Sequence, residues 1–111
     1  MIPFTHLHVH SQFSLLDGQA AIDKLVDKAI ADGQKGIALT DHGNMFGAVK
    51  FYEILKKNGI KPIIGCELYL DYGLDDEKNY VNDLKYFKNE IYHIVVLCEN
   101  KEGYKNLVKQ T

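Results

Sequence analysis

The spacing of apolar residues changes period along the chain, and each change marks an element. Ile2 to Val9 reads as a short buried strand, and Ser11 to Gly18 as a loop. From Gln19 to Asp32 the apolar positions Ala21, Ile22, Leu25, Val26, Ala29 and Ile30 recur at helical spacing. Asp23, Lys24, Asp27 and Lys28 fall on the opposite face, and Gly33 supplies a stop. Gly36 to Thr40 predicts a second short strand. Asn44 then caps a helix carrying Met45, Ala48, Val49, Tyr52 and Leu55 inward, ended by Asn58-Gly59. Lys61 to Leu70 predicts a third strand. The segment from about 71 to 90 breaks the rhythm: it is rich in Asp, Asn, Lys and Tyr, with only a weak helical pattern around Tyr80, Val81, Leu84 and Phe87. It predicts an exposed excursion. Ile91 to Cys98 is a fourth strand, and Asn100 caps a last helix with Tyr104, Leu107 and Val108 inward.

Strand and helix alternating in this way predict two successive βαβ units, hence an α/β fold with parallel strands and right-handed crossovers. Ligands in such sheets sit beyond the carboxyl ends of the strands. Chemistry-bearing residues collect at those ends. His6-Leu7-His8-Val9-His10 sends alternate imidazoles to one face of a strand, and His8 and His10 reach its outer end. Two such imidazoles stand about 7 Å apart at the backbone, at a rise of roughly 3.3 Å per residue, and can converge on one divalent ion or a pair. Asp41-His42-Gly43 follows the second strand, and Glu67 lies in the outer half of the third. His93 starts its strand, which is the wrong end of a parallel barrel. If the excursion holds no crossover helix, the fourth strand runs antiparallel to the third, and His93 joins Glu67 at the same rim.

Composition narrows the function classes. A chain of 111 residues is one domain at most, and 46% apolar residues suffice for an ordinary core. The net charge of −2 argues against a dedicated nucleic-acid surface, and all 13 basic residues are lysine, so no arginine fork can grip a phosphate. Cys66 and Cys98 lie inside apolar runs without zinc-type spacing and read as reduced core residues of a cytoplasmic protein. No apolar run approaches the roughly 18 residues of a membrane span, and the histidines interrupt any signal-peptide core.

Five stretches together carry a likeness to a known family: Leu7-His8-Val9-His10-Ser11, Ser14-Leu15-Leu16-Asp17-Gly18, Thr40 to Gly47, Gly59 to Glu67 and His93 to Leu97. The sequence resembles the PHP (polymerase and histidinol phosphatase) family, and within it the amino-terminal domains of bacterial replicative polymerases of the DNA polymerase III alpha type. Ser14 to Gly18, Asn44 to Gly47 and Glu102 to Leu107 separate it from free-standing phosphatases. The resemblance implies the amino-terminal part of a distorted (β/α)7 barrel around a centre of two or three divalent ions (zinc, manganese or iron). It implies His8, His10, Asp17, His42, Glu67 and His93 as metal ligands.

The remaining ligands of such a barrel, a late Asp-x-His pair among them, would lie beyond Thr111. Four strands cannot close a barrel, so the chain is expected to be the amino-terminal portion of one domain in a longer protein. Asp41 is expected to orient a ligand imidazole, and His6, one pleat deeper, to sit in the core or behind the ligands. Ser11 and Thr40 are assigned to local backbone hydrogen bonds. Paired ions roughly 3.5–4 Å apart activate water and neutralise phosphoryl charge, so no Ser or Cys nucleophile is required.

Three functions from different classes follow. The first is a 3′→5′ proofreading exonuclease within a polymerase, whose own site would use magnesium outside this chain. The second is a metal-stabilised scaffold docking a separate exonuclease subunit, and the third a stand-alone phosphatase. For the polymerase readings the implied partners are DNA, deoxynucleotides, the exonuclease subunit and the sliding clamp, with no membrane.

Overall fold

A computed structural model of the chain describes residues 4–71 and 91–111. The excursion expected over 71–90 lies outside them except for Asp71, which ends a strand. The elements run α1 (Ile22–Ala31), β1 (Gly36–Leu39), α2 (Ala48–Lys57), β2 (Lys61–Asp71), β3 (Ile91–Leu97) and α3 (Lys101–Gln110).

Each helix follows from its apolar stripe and its ends. Ile22, Val26 and Ala29 are the buried face of α1, with Asp23 in its first turn and Lys28 in its last, both favourable to the helix dipole. Its exit is a Schellman motif: the Gly33 amide donates to the Ile30 carbonyl at 3.0 Å and the Gln34 amide to the Ala29 carbonyl at 2.9 Å. The helix starts three residues later than Gln19, because the Gln12 amide holds the Ala20 carbonyl at 2.8 Å and keeps the entry out of helical form. In α2 the buried face is Ala48, Phe51 and Leu55, and Asn58-Gly59 ends it as expected.

Asn44 does not cap α2, contrary to its sequence position; Gly47 stands there. The Asn44 amide instead donates to the carbonyls of Phe13 at 2.9 Å and His42 at 3.0 Å, which ties the loop after β1 to the Ser11–Gly18 loop. Met45 therefore precedes the helix. Val49 and Tyr52, expected inward, are 59% and 46% exposed, and line a cleft of about 530 Å³ between α2 and α3 with Pro62, Ile64, Cys98 and Tyr104. Asn100 does cap α3, its side-chain oxygen accepting from the Gly103 amide at 2.9 Å, an arrangement worth about 1 kcal/mol. Leu107 is buried on that helix, whereas Val108 is exposed.

Sheet order is β1-β2-β3, with β1 parallel to β2 and β2 antiparallel to β3. The antiparallel hairpin anticipated for the last strand is present. β2 is the hinge of the sheet: Lys61 to Ile64 pair with Gly36 to Leu39, and Gly65 to Asp71 pair with Leu97 to Ile91. The parallel register runs on past β1, where a bridge joins His42 to Glu67.

The predicted first strand is the main departure. Residues 4–10 form no regular ladder, and Phe4 and Leu7 are 64% and 49% exposed. Two backbone bonds hold this segment beside β1: Ala38 amide to His6 carbonyl, 2.9 Å, and Thr40 amide to Val9 carbonyl, 2.8 Å. Three steps on one side match two on the other, so one extra residue is inserted, as in a bulge. Thr40 compensates with its hydroxyl, which accepts from the Val9 amide at 2.9 Å; its partner lies 31 residues away and is not local. The core gathers α1, α2, β1 and β2 around Ile22, Val26, Ile37, Leu39, Phe51, Leu55 and Ile60. Among the described residues no helix is long and apolar enough to cross a membrane.

Candidate metal centre

Glu67 is the hub of the polar rim. Its amide donates to the Asp41 carbonyl at 2.9 Å and its carbonyl accepts from the Gly43 amide at 2.9 Å, so its backbone is clamped against the loop carrying His42. Its side chain is only 6% exposed. One carboxylate oxygen meets His8 Nε2 at 2.7 Å and His10 Nε2 at 2.5 Å, and lies 3.8 Å from His42 Nδ1. The other meets His93 Nδ1 at 3.2 Å. In the antiparallel register Glu67 faces Val95, and His93 reaches the carboxylate diagonally from the next site on the same face.

Asp17 completes the cluster from the Ser11–Gly18 loop, contacting His42 Nε2 and lying 3.0 Å from His10 Nδ1. All six sequence-predicted ligands therefore converge. They form three groups, His8–His10–Glu67, His10–Asp17–His42 and His42–Glu67–His93, each with ligand atoms within 4.8 Å of one another. Every pair of groups shares one residue.

The other two candidates occupy different places from those expected. His6 is outside the cluster: its ring is exposed and stands edge-on to Phe4 at 4.7 Å. The extra residue between His6 and Val9 breaks the alternation that would have stacked it behind His8. Asp41 does not touch an imidazole. It is 1% exposed and accepts from the Ser11 amide at 2.6 Å, the Ser11 hydroxyl at 2.7 Å and the Ser14 hydroxyl at 2.7 Å. The Ser14 oxygen in turn accepts from the His42 amide at 3.0 Å. Asp41 thus fixes the loop that presents His10 and Asp17, and acts on His42 through that loop. Ser11, assigned to local bonding, keeps one local bond, from the Phe13 amide at 3.2 Å.

Sequence reasoning also left Tyr69 unassigned, although its place two residues after Glu67 puts it on the same face. Its ring lies nearly parallel to His42 and edge-on to His93. Cys66 is fully buried and Cys98 partly so, and both are free thiols. Burial pushes both thiols above their ordinary value, which keeps them protonated and inert.

Electrostatics favour anionic carboxylates at the hub. Burial raises the Glu67 carboxyl, but hydrogen bonds from His8 and His10 and the fields of His42 and His10 outweigh it, leaving it below the ordinary 4.5. The His42 hydrogen bond, more than any other influence, holds Asp17 below 3.8. A carboxyl lowered in the fold is protonated more readily in the unfolded chain. The stability it contributes is therefore present above the unfolded value and lost as pH falls through the folded one. The metal-free protein should hold a level unfolding midpoint near neutrality and lose it below about pH 4.5, the ordinary Glu67 value. Glu67→Gln should flatten that acid limb; an unchanged limb in urea titrations would contradict it.

The donor chemistry fits borderline divalent ions. Imidazole nitrogens and carboxylate oxygens converge, and His42 Nδ1 is buried with no hydrogen-bond partner among the described residues. An orphaned lone pair or N–H in such a place has a cost unless something binds it.

Comparison with known proteins decides the family. The PHP domain profile matches residues 6–111. The chain belongs to the PHP family. It is 47% identical over 114 residues to the DNA polymerase III subunit alpha of Borreliella burgdorferi, covering 97% of this chain and 9% of that protein. The corresponding subunit of Treponema pallidum is 47% identical over 105 residues, covering 95% of this chain and 9% of the relative. This PHP chain thus spans about a tenth of the relatives it matches.

Among solved structures, an amidohydrolase from Chromobacterium violaceum superposes with a TM-score of 0.64 at 24% identity, over 95% of this chain and 32% of the other. A Bifidobacterium adolescentis protein described as a metal-dependent phosphoesterase gives 0.59 at 19%, over the same shares. At that identity the likeness establishes a shared fold. Mixed α/β structure with barrel-type neighbours covering almost the whole chain agrees with a partial PHP barrel.

Proposed function

We propose that this chain is the amino-terminal portion of a PHP domain whose metal centre hydrolyses phosphodiesters, in a replicative polymerase of the DNA polymerase III alpha type, as a 3′→5′ exonuclease. His8, His10, Asp17, His42, Glu67 and His93 would hold two or three divalent ions, zinc, manganese or iron. Support comes chiefly from one observation: the nearly buried Glu67 carboxylate meets three imidazoles and faces a fourth, His42, whose Nδ1 has no hydrogen-bond partner among the described residues.

A neutral imidazole offers one lone pair, so His10 and His42 each serve one ion at a time, while a carboxylate with two oxygens can serve two. Glu67, whose one oxygen faces His8 and His10 and whose other faces His93, would therefore be the residue able to serve two ions. Bound ions would supply Lewis acidity toward a phosphoryl oxygen and a more acidic water. Around them the chain's own residues set the geometry. Asp17 accepts from His42 and keeps that ring's far edge fixed, and the Ser11–Ser14–Asp41 lock holds the loop bearing His10 and Asp17.

The wider role in this reading includes DNA and deoxynucleotides as substrates and the exonuclease subunit and sliding clamp as partners. It also includes magnesium at a polymerase site elsewhere in the protein, and a cytoplasmic setting. The test is removal of a mismatched 3′ end by the full-length protein loaded with manganese or zinc. His10→Ala should reduce that rate by at least about 100-fold with primer extension intact. A rate unaffected by His10→Ala would refute the assignment. Metal-dependent thermal stability without any nuclease activity would establish the scaffold reading instead.

A further inference from the structure

We infer that Tyr69 is the substrate-orienting residue of this centre, the surface on which the base of a nucleotide stacks while its phosphate meets the Glu67 cluster. The inference rests on the phosphodiesterase reading above and names what that site would recognise beyond phosphate.

Tyr69 follows Glu67 by two residues on β2, so both side chains leave the same face of the sheet. It pairs directly with His93 in the antiparallel register. Its ring centroid lies 5.0 Å from that of His93 at 71°, and 6.2 Å from that of His42 at 14°. The turn after His42 is shaped to admit the ring: a Cβ at Gly43 would stand 3.2 Å from Tyr69 Cε2.

Despite these contacts Tyr69 remains 54% exposed. A large aromatic ring held edge-on and parallel by two candidate ligands, yet half open to solvent, is a preorganised stacking platform. Its low side-chain entropy makes it cheap to use. The chain has no arginine, so no guanidinium fork within it grips a phosphodiester, and an aromatic surface offers a separate handle on the base. Base–aromatic stacking of this kind is tolerant of sequence, as a nuclease acting on any terminal nucleotide requires.

The test compares ligands that differ only in the base. In the full-length protein loaded with manganese, equilibrium dialysis should show thymidine 5′-monophosphate bound about tenfold tighter than inorganic phosphate. Tyr69→Phe should keep that preference within about twofold, and Tyr69→Ala should abolish it, with manganese per chain unchanged in both. In hydrolysis, Tyr69→Ala should raise KM for the p-nitrophenyl ester of thymidine 5′-monophosphate by about tenfold and leave methyl p-nitrophenyl phosphate unaltered.

A base preference that survives Tyr69→Ala, or none in the wild type, overturns the inference. Loss of manganese in both Tyr69→Ala and the bulkier Tyr69→Leu also overturns it, making the ring a prop for His42 and His93. Failure of the wild type to hydrolyse either ester with its metal bound rejects the phosphodiesterase reading, and the dialysis result still decides Tyr69.

Discussion

Replacing Glu67 with Gln should weaken metal binding by at least about 100-fold and remove at least one ion per chain, while the metal-free fold survives. The substitution is nearly isosteric, so the 6% exposed side chain leaves no cavity. What it removes is charge and one acceptor. Glu67 belongs to two of the three ligand groups, and its two oxygens face different imidazoles. An amide offers a single oxygen and no anionic charge, so it cannot serve both sides. Even partners one step removed from a metal typically cost 10–100-fold on mutation, which sets the minimum for a residue that would itself hold the ions. Calorimetric titration with manganese or zinc, with elemental analysis of the purified variant, reads the effect. Affinity and stoichiometry equal to the wild type would remove Glu67 from the centre.

Asp41→Ala should act in the opposite sense, on stability before metal. The carboxylate is 1% exposed and accepts three bonds of 2.6–2.7 Å from Ser11 and Ser14. Its removal strands three buried donors, one of them a backbone amide that cannot turn away. Bonds to a charged acceptor are the stronger kind, and the total loss should be about 3–5 kcal/mol. For a domain of this size that lowers the melting midpoint by on the order of 15 °C in metal-free protein. Asp41→Asn, which keeps one acceptor oxygen, should lose roughly half as much. The loop presents His10 and Asp17 and holds the His42 amide, so metal affinity should fall as well, but after the fold has weakened. A midpoint within about 2 °C of wild type would mean the lock carries little of the stability.

The two variants separate roles that the sequence could not. Asp41 and His42 are neighbours at the end of β1, and both are residue types that ligate metals. Adjacent residues in an extended segment point to opposite sides, so only one of them can face the cluster. His42 does; Asp41 turns into the protein and finds Ser11 and Ser14, which lie 30 and 27 positions earlier.

Much of the rest was legible. Helical spacing located the buried face of α1 and, in α2, Ala48 and Leu55 but not Phe51, and Gly33 and Asn58-Gly59 marked the helix ends, because these signals are local. The hairpin of β2 and β3 was anticipated from the weak helical pattern of the sequence between them, and it brings His93 to Glu67's rim. Strand-end position put His8, His10, His42 and Glu67 at one rim because side-chain direction is set by the backbone period, whereas Asp17, in a loop, came only from the likeness to the PHP family.

Other features depended on contacts between distant segments. Whether His6 joined His8 and His10 turned on one extra residue opposite Ala38 to Thr40, and nothing in a period-two pattern records a bulge. Asn44 has the composition of a helix cap but satisfies the carbonyls of Phe13 and His42, since those groups would otherwise be left without a donor where two loops meet. Tyr69 looked like any strand aromatic until the fold set it against two imidazoles.

By itself, then, the sequence determined which residues could face one rim, because side-chain direction follows from backbone period and strand ends. Only the tertiary structure decided which of them meet, which lock the loops and which stay outside. Those outcomes depend on register and on the pairing of buried polar groups, and both are settled between segments far apart in the chain.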